Sequence, residues 1–119
     1  IYFTLNHKEF LPMKEDTQKP NVSLLPVTPL ITAAKCLTFG AKKYGQNNWK
    51  KDLHNVAYSR TYSSIQRHLM AYWDGVDFDE ETGLSHLAHA MSQIMILLEQ
   101  TKHCPEMDDR FKYPEKKEV

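Results

Sequence analysis

The stretch from Arg67 to Glu99, RHLMAYWDGVDFDEETGLSHLAHAMSQIMILLE, constrains this chain more than any other, because it reads as a helix end, a short acidic loop and a second helix. A compact loop returns the chain on itself, so the two helices are expected to pack antiparallel. His86 and His89 are three residues apart and rise from one face of the second helix, and Gln93 continues the same stripe. Asp77, Asp79, Glu80 and Glu81 lie in the loop, while Arg67 and His68 sit near the end of the first helix. The fold-back therefore predicts carboxylates, imidazoles and a guanidinium at one pocket mouth.

The chain has 119 residues, 41% of them hydrophobic, which suits one domain with one modest core. Fifteen basic residues balance fifteen acidic ones, so no global field favours a nucleic-acid polymer or a membrane surface, and any charged ligand must be recognised locally. Cys36 and Cys104 fit no zinc or redox spacing and read as idle thiols in a reducing, cytoplasmic setting. The longest apolar run, Ile94 to Leu98, is far short of the ~20 residues of a membrane span. No signal-peptide pattern opens the chain, and a first residue of Ile1 rather than Met is what a fragment or a trimmed N-terminus would show.

The expected fold class is all-α, a small antiparallel helical bundle. Residues 1–27 lack a sustained period and read as an irregular arm, in which IYFTL is either a short strand or a packed cover. The helical domain is expected over 28–104. Thr28 caps a first helix with Pro29 at its first position, and Leu30, Ile31, Ala34, Leu37 and Ala41 recur at helical spacing to Tyr44, before Gly45. QNNWKKDLHN is expected as a loop anchored by Trp49. Asn55 caps a second helix that runs from Val56 to Trp73 and is closed by Gly75. The third helix is expected to begin between Asp79 and Leu84, capped by Asp79 or Thr82, and to end near Lys102, ahead of Pro105. Its consecutive apolar residues Ile94–Leu98 demand burial on more than one side, which points to a homo-oligomeric interface. Residues 105–119 read as a loosely held extension.

Carboxylates crowded at a helix start repel one another unless a cation sits among them, so Asp79 and Glu81 are the preferred ligands for magnesium. The competing reading is a solvated turn in which Asp79 merely caps the helix and Asp77 and Glu80 are surface charge. His86 and His89 fit metal ligands, donors to phosphate, or satisfied core histidines. Arg67 and His68 fit phosphate recognition as well as plain helix-end positions, and Lys42 and Lys43 add positive charge that also suits a helix C-terminus. Asn48 and Trp49 are candidates for reading a base, although a connector tryptophan more often packs over a helix end.

KPNVSLLP (Lys19–Pro26), FGAKKYGQNNW (Phe39–Trp49) and the Arg67–Glu99 stretch together resemble a phage-associated family of dATP/dGTP diphosphohydrolases, related to MazG-like nucleotide pyrophosphohydrolases. Each block is weak alone, and the set in this order is specific. The resemblance implies an all-helical dimer or tetramer in a host cytoplasm. It implies hydrolysis of a nucleoside triphosphate, a purine dNTP foremost, to monophosphate and pyrophosphate with magnesium, or manganese in its place. It sets Asp79 and Glu81 near the metal, His68, His86, His89 and Arg67 around the site, and Lys43, Tyr44, Asn48 and Trp49 toward the nucleotide. Glu81 is then the expected base for water attacking the α-phosphorus, and a protonated His86 or His89 would stabilise the departing pyrophosphate. The chain departs from the pattern in three places: Val76 stands where a Glu is expected, Gln93 where an Asn is expected, and HLAH replaces the paired carboxylates of MazG-like helices. Two alternatives follow, a nucleotide-binding module without catalysis and a hydrolase with a transition metal on His68, His86 and His89.

Overall fold

A computed structural model describes residues 19–115, and among them are four α-helices and no β-strand. We number them α1 (Val27–Tyr44), α2 (Asn48–Asp52), α3 (Tyr58–Trp73) and α4 (His86–His103). Two 3-10 turns, Val22–Leu24 and Pro105–Met107, flank the set. The all-α expectation therefore holds for the described residues, while IYFTL lies outside them.

α3 and α4 form the antiparallel pair that the acidic loop requires. At one end Tyr58 Oη donates to the Cys104 carbonyl (3.3 Å), and at the other the rings of His68 and His86 meet. α1 packs across α4 from a second side. The core is built largely of small side chains, Ala33 and Cys36 of α1 against Ala88 and Ala90 of α4, with Ile65 and Tyr58 from α3. Small residues let helix axes approach closely, which holds polar groups at the helix ends in fixed register.

Four local expectations change. α1 begins at Val27, so Thr28 and Pro29 fall within its first turn and Pro26 stands at the cap without a side-chain bond. The tryptophan connector contains the short helix α2, entered through Asn47 in the left-handed conformation (φ 63°). α3 starts at Tyr58 rather than Val56, because the preceding turn is held by Gln100, whose Nε2 donates to the carbonyls of Leu53 and Val56. α4 starts at His86 and is capped by Ser85, whose Oγ accepts from Leu87 N (3.0 Å). Asp79 and Thr82 are not its caps, since the loop itself consumes them.

The chain just after Pro105 is tied down through Asp109. Asp109 caps α3 from far along the chain, accepting from Ser59 N (3.0 Å) and Ser59 Oγ (2.5 Å). A carboxylate at a helix N-terminus satisfies an orphan amide and complements the helix dipole. Ile94 and Leu98 of α4 remain exposed, so the chain alone buries only part of the surface that this apolar run presents. Among the described residues, no helix is long and apolar enough to cross a membrane.

Candidate functional site

The acidic loop folds as a tight hairpin. Asp79 N donates to the Leu84 carbonyl (2.8 Å), Gly83 N returns to the Asp79 carbonyl (2.8 Å), and Phe78 pairs with Ser85 in one antiparallel bridge. Gly83 takes φ 72°, a conformation that a side chain would strain. One carboxylate oxygen of Asp79 gathers the turn, accepting from Glu81 N (3.1 Å), Thr82 N (3.0 Å) and Thr82 Oγ1 (3.2 Å). Asp79 is thus fixed by the turn it nucleates, an arrangement that Asp favours by bonding to amides two and three residues on.

The three imidazoles meet this hairpin. His68 Nδ1 faces His86 Nδ1 at 2.9 Å, and the His68 ring stacks on His89 with centroids 4.8 Å apart and planes 10° from parallel. His89 Nε2 lies 2.7 Å from Thr82 Oγ1, so Thr82 links a loop carboxylate to a helix imidazole. Ligand atoms of His68, Asp79 and His86 all lie within 4.8 Å of one another. Two ring nitrogens and one carboxylate oxygen at that separation form a donor set able to hold a divalent cation.

Electrostatics keep His68 and His89 in the form that a ligand role needs. Burial, with His89 and His86 beside it, holds His68 below the ordinary imidazole range. His89 is likewise lowered by burial, against the pull of Asp79. Burial pushes the Asp79 carboxyl up, but the Thr82 amide and hydroxyl, with His89 and His68, outweigh it and leave Asp79 below its usual value. At neutral pH the pocket therefore presents neutral His68 and His89 beside an ionised Asp79. A protonated His89 as partner of the leaving group does not fit this environment.

Glu81 and Lys43 stand at the rim. The Glu81 carboxylate pairs with Lys43 Nζ from the end of α1, and both side chains are largely exposed, so Glu81 is not in the convergent donor group. Lys43 also lies 5.2 Å from the centre of the exposed Tyr44 ring. Arg67 is exposed beside His68, and its charge adds to the forces that keep that ring neutral. Asp77 and Glu80 are exposed, although the Asp77 carbonyl accepts from His86 N (2.9 Å). Gln93 continues the imidazole stripe with a buried Oε1 that has no protein partner.

Asn48 and Trp49 are separate from the imidazoles. They line a cleft of about 170 Å³ with Asp52, Thr61, Ile96 and Gln100. Thr61 and Ile96 each lie seven residues along their helices from His68 and His89, which places the cleft roughly 10 Å down the α3–α4 pair. A larger cavity of about 350 Å³, lined by Tyr58, Tyr62, Leu97 and Arg110 among others, is almost wholly apolar and lies toward the far end of the pair from the imidazoles. Thr82 is the site residue that sequence reading undervalued, since as a cap candidate it gave no sign of bonding forward to His89.

A helix pair closed by an acid-rich hairpin, with imidazoles and one carboxylate converging at the closed end, defines a helical protein with a candidate cation pocket. The chain belongs to the family described as dATP/dGTP diphosphohydrolase, N-terminal, which it matches over residues 12–110. A relative from Salmonella phage PMBT28, named dATP/dGTP diphosphohydrolase, is 33% identical over 98 residues, which are 82% of this chain and 32% of the relative. The chain thus spans about a third of the length of the relative it matches. No solved structure matches it.

Proposed function

We propose that this chain carries the site of a metal-dependent phosphohydrolase that cleaves a deoxynucleoside triphosphate, foremost dATP or dGTP, to the monophosphate and pyrophosphate. The observation that carries this reading is the convergence of His68, Asp79 and His86 within 4.8 Å, beside a rim of Lys43 and Glu81. The name of the phage relative supplies the substrate class.

The donor set orders the possible cations. Magnesium prefers oxygen ligands, so a magnesium site would draw on Asp79 and on Glu81 released from Lys43. Two imidazole nitrogens suit manganese or another transition metal better, a second reading that the His68–His86 approach favours. The cation, when bound, neutralises phosphate charge and lowers the pKa of water.

The chain's own groups supply the rest. A triphosphate entering the rim competes for Lys43, which frees the Glu81 carboxylate to take the proton of the attacking water. Oxygen from water bonds to the α-phosphorus as the bond from that phosphorus to the bridging oxygen breaks, and pyrophosphate leaves. Arg67 and Lys43 hold the departing charge. His89, kept neutral, spends its one N–H on Thr82, whose hydroxyl proton goes to Asp79, and so braces the hairpin beside the phosphates rather than neutralising them. The base extends toward the Asn48–Trp49 cleft, whose offset of roughly 10 Å is comparable to a nucleotide's length. Exposed Ile94 and Leu98 give the chain a face for self-association, which sedimentation would measure.

A panel of dNTPs assayed for pyrophosphate release, on chelator-stripped protein reloaded with magnesium or manganese, tests the reading. Release restored by manganese above magnesium supports the nitrogen-rich site, and release only with magnesium favours Asp79 with Glu81. No release with either cation, alongside dNTP-dependent thermal stabilisation, would leave a nucleotide-binding module without catalysis.

A further inference from the structure

The end of α4 opposite the imidazole pocket carries a second group of donors that the proposed chemistry does not use. His54 belongs to the turn after α2, Cys104 is the C-cap of α4, and Glu106 lies in the 3-10 turn that follows. One ligand atom from each lies within 4.8 Å of the other two. His54 Nδ1 is 2.7 Å from Glu106 Oε2, across a separation of 52 residues, and Cys104 is completely buried.

We propose that His54, Cys104 and Glu106 form a separate metal site for zinc or a cation of the same borderline-soft class, with water in the fourth position. The donor types select the ion. A thiolate, an imidazole and a carboxylate are the three kinds of protein ligand that zinc takes, whereas magnesium and manganese gain little from sulfur. Thiolate and carboxylate together carry two negative charges and balance a divalent ion. The site also lies at the C-terminal end of an 18-residue helix, where the helix dipole favours positive charge. Seating the ion requires His54 and Glu106 to part from 2.7 Å to roughly 3.4 Å, as metal–ligand bonds of about 2.1 Å at tetrahedral angles demand. Both side chains are more than half exposed and free to make that shift.

Loading is balanced in protons. Burial, with the Glu106 charge nearby, keeps the Cys104 thiol protonated without a cation, so binding replaces the thiol proton with the metal and releases it to solvent. The bound ion would tie the turn after α2 to the end of α4, next to the carbonyls of Leu53 and Val56 that Gln100 already holds. This inference stands apart from the hydrolytic reading, because neither its ligands nor its test involves nucleotide.

Cobalt(II) titrated into the full chain is the discriminating probe, since a thiolate ligand gives a near-ultraviolet charge-transfer band that the sulfur-free set of His68, Asp79 and His86 cannot produce. The band is expected in the wild type and in Cys36→Ser, and is expected to vanish in Cys104→Ser and on addition of zinc. His54→Ala and Glu106→Gln, both at exposed positions, are expected to weaken cobalt binding at least ~10-fold, since even outer-shell losses cost that much. A wild-type chain without the band at saturating cobalt, or a band that survives Cys104→Ser, would overturn the proposal. Should Cys104→Ser fail to fold, wild-type cobalt affinity in both His54→Ala and Glu106→Gln overturns it equally.

Discussion

The two ends of the α3–α4 pair differ in what the side chains that join the helices bond to. At the hairpin end the imidazoles bond to other side chains, His68 to His86 and His89 to Thr82, and Thr82 bonds on to Asp79. At the far end the side chains that join segments also reach backbone: Gln100 to the carbonyls of Leu53 and Val56, Tyr58 to that of Cys104, Asp109 to the amide of Ser59. A side chain committed to a backbone group finishes the hydrogen-bonding of the fold and has little left to give a ligand. Side chains bonded to each other can exchange those bonds for a substrate or an ion without unfolding anything. The difference separates the end proposed to do chemistry from the end expected to set stability.

Substitutions should respect that division, and the largest effect should come from the hairpin. Asp79→Asn keeps most of the turn's acceptor geometry but removes the charge, so pyrophosphate release should fall on the order of 10³-fold with helical content unchanged. Turnover near wild type would break the contrast outright. Gln100→Leu should act in the other currency: two buried carbonyls lose their donor, costing about 2–4 kcal/mol and lowering Tm by about 10 °C or more. An unchanged thermal melt by circular dichroism would show that the far end is not where stability is held. Thr82→Val sharpens the picture, since it removes the hydroxyl between Asp79 and His89 and should weaken manganese binding roughly 10- to 100-fold in a calorimetric titration.

The smallest effect concerns acid stability. The Ser59 hydroxyl and amide hold Asp109 below its ordinary value, so its contribution is present above the unfolded value of about 3.9 and is lost as pH falls through the lowered folded one. Asp109→Asn should therefore be slightly less stable at neutral pH and should lose less between pH 5 and acid than the parent does. Parallel stability curves for the two proteins would show that the tail cap contributes nothing.

Much of the helical layout was legible because it follows from periodicity and punctuation. The apolar spacing through Leu37 and Ala41 and the stop at Gly45 marked the end of α1 where it is observed and its start to within two residues. The starts of α3 and α4 were less legible. Asn55 and Asp79 are good caps by residue type, but Gln100 holds the turn that Asn55 would have opened, and the Asp79 carboxylate is spent inside its own hairpin. The tail read as loose because nothing local reveals that Asp109 caps a helix fifty residues earlier in the chain. In the site, the gathering of imidazoles and acids at one mouth was readable, but the partner of each was not. Glu81 looked like the companion of Asp79 and instead meets Lys43, whereas His68 and His86 approach Asp79.

By itself the sequence determined that this protein is helical, that its second and third long helices return antiparallel through an acidic turn, and that the imidazoles His68, His86 and His89 gather with the loop carboxylates at one end of that pair. Those are consequences of local spacing, which a chain carries whatever surrounds it. Tertiary structure alone decided which carboxylate faces the imidazoles, which is held by a lysine, and which rings are buried deeply enough to stay neutral. Such choices depend on angstrom-scale approach between segments far apart in sequence and on the water that packing removes, and no pattern of residue types encodes either one directly.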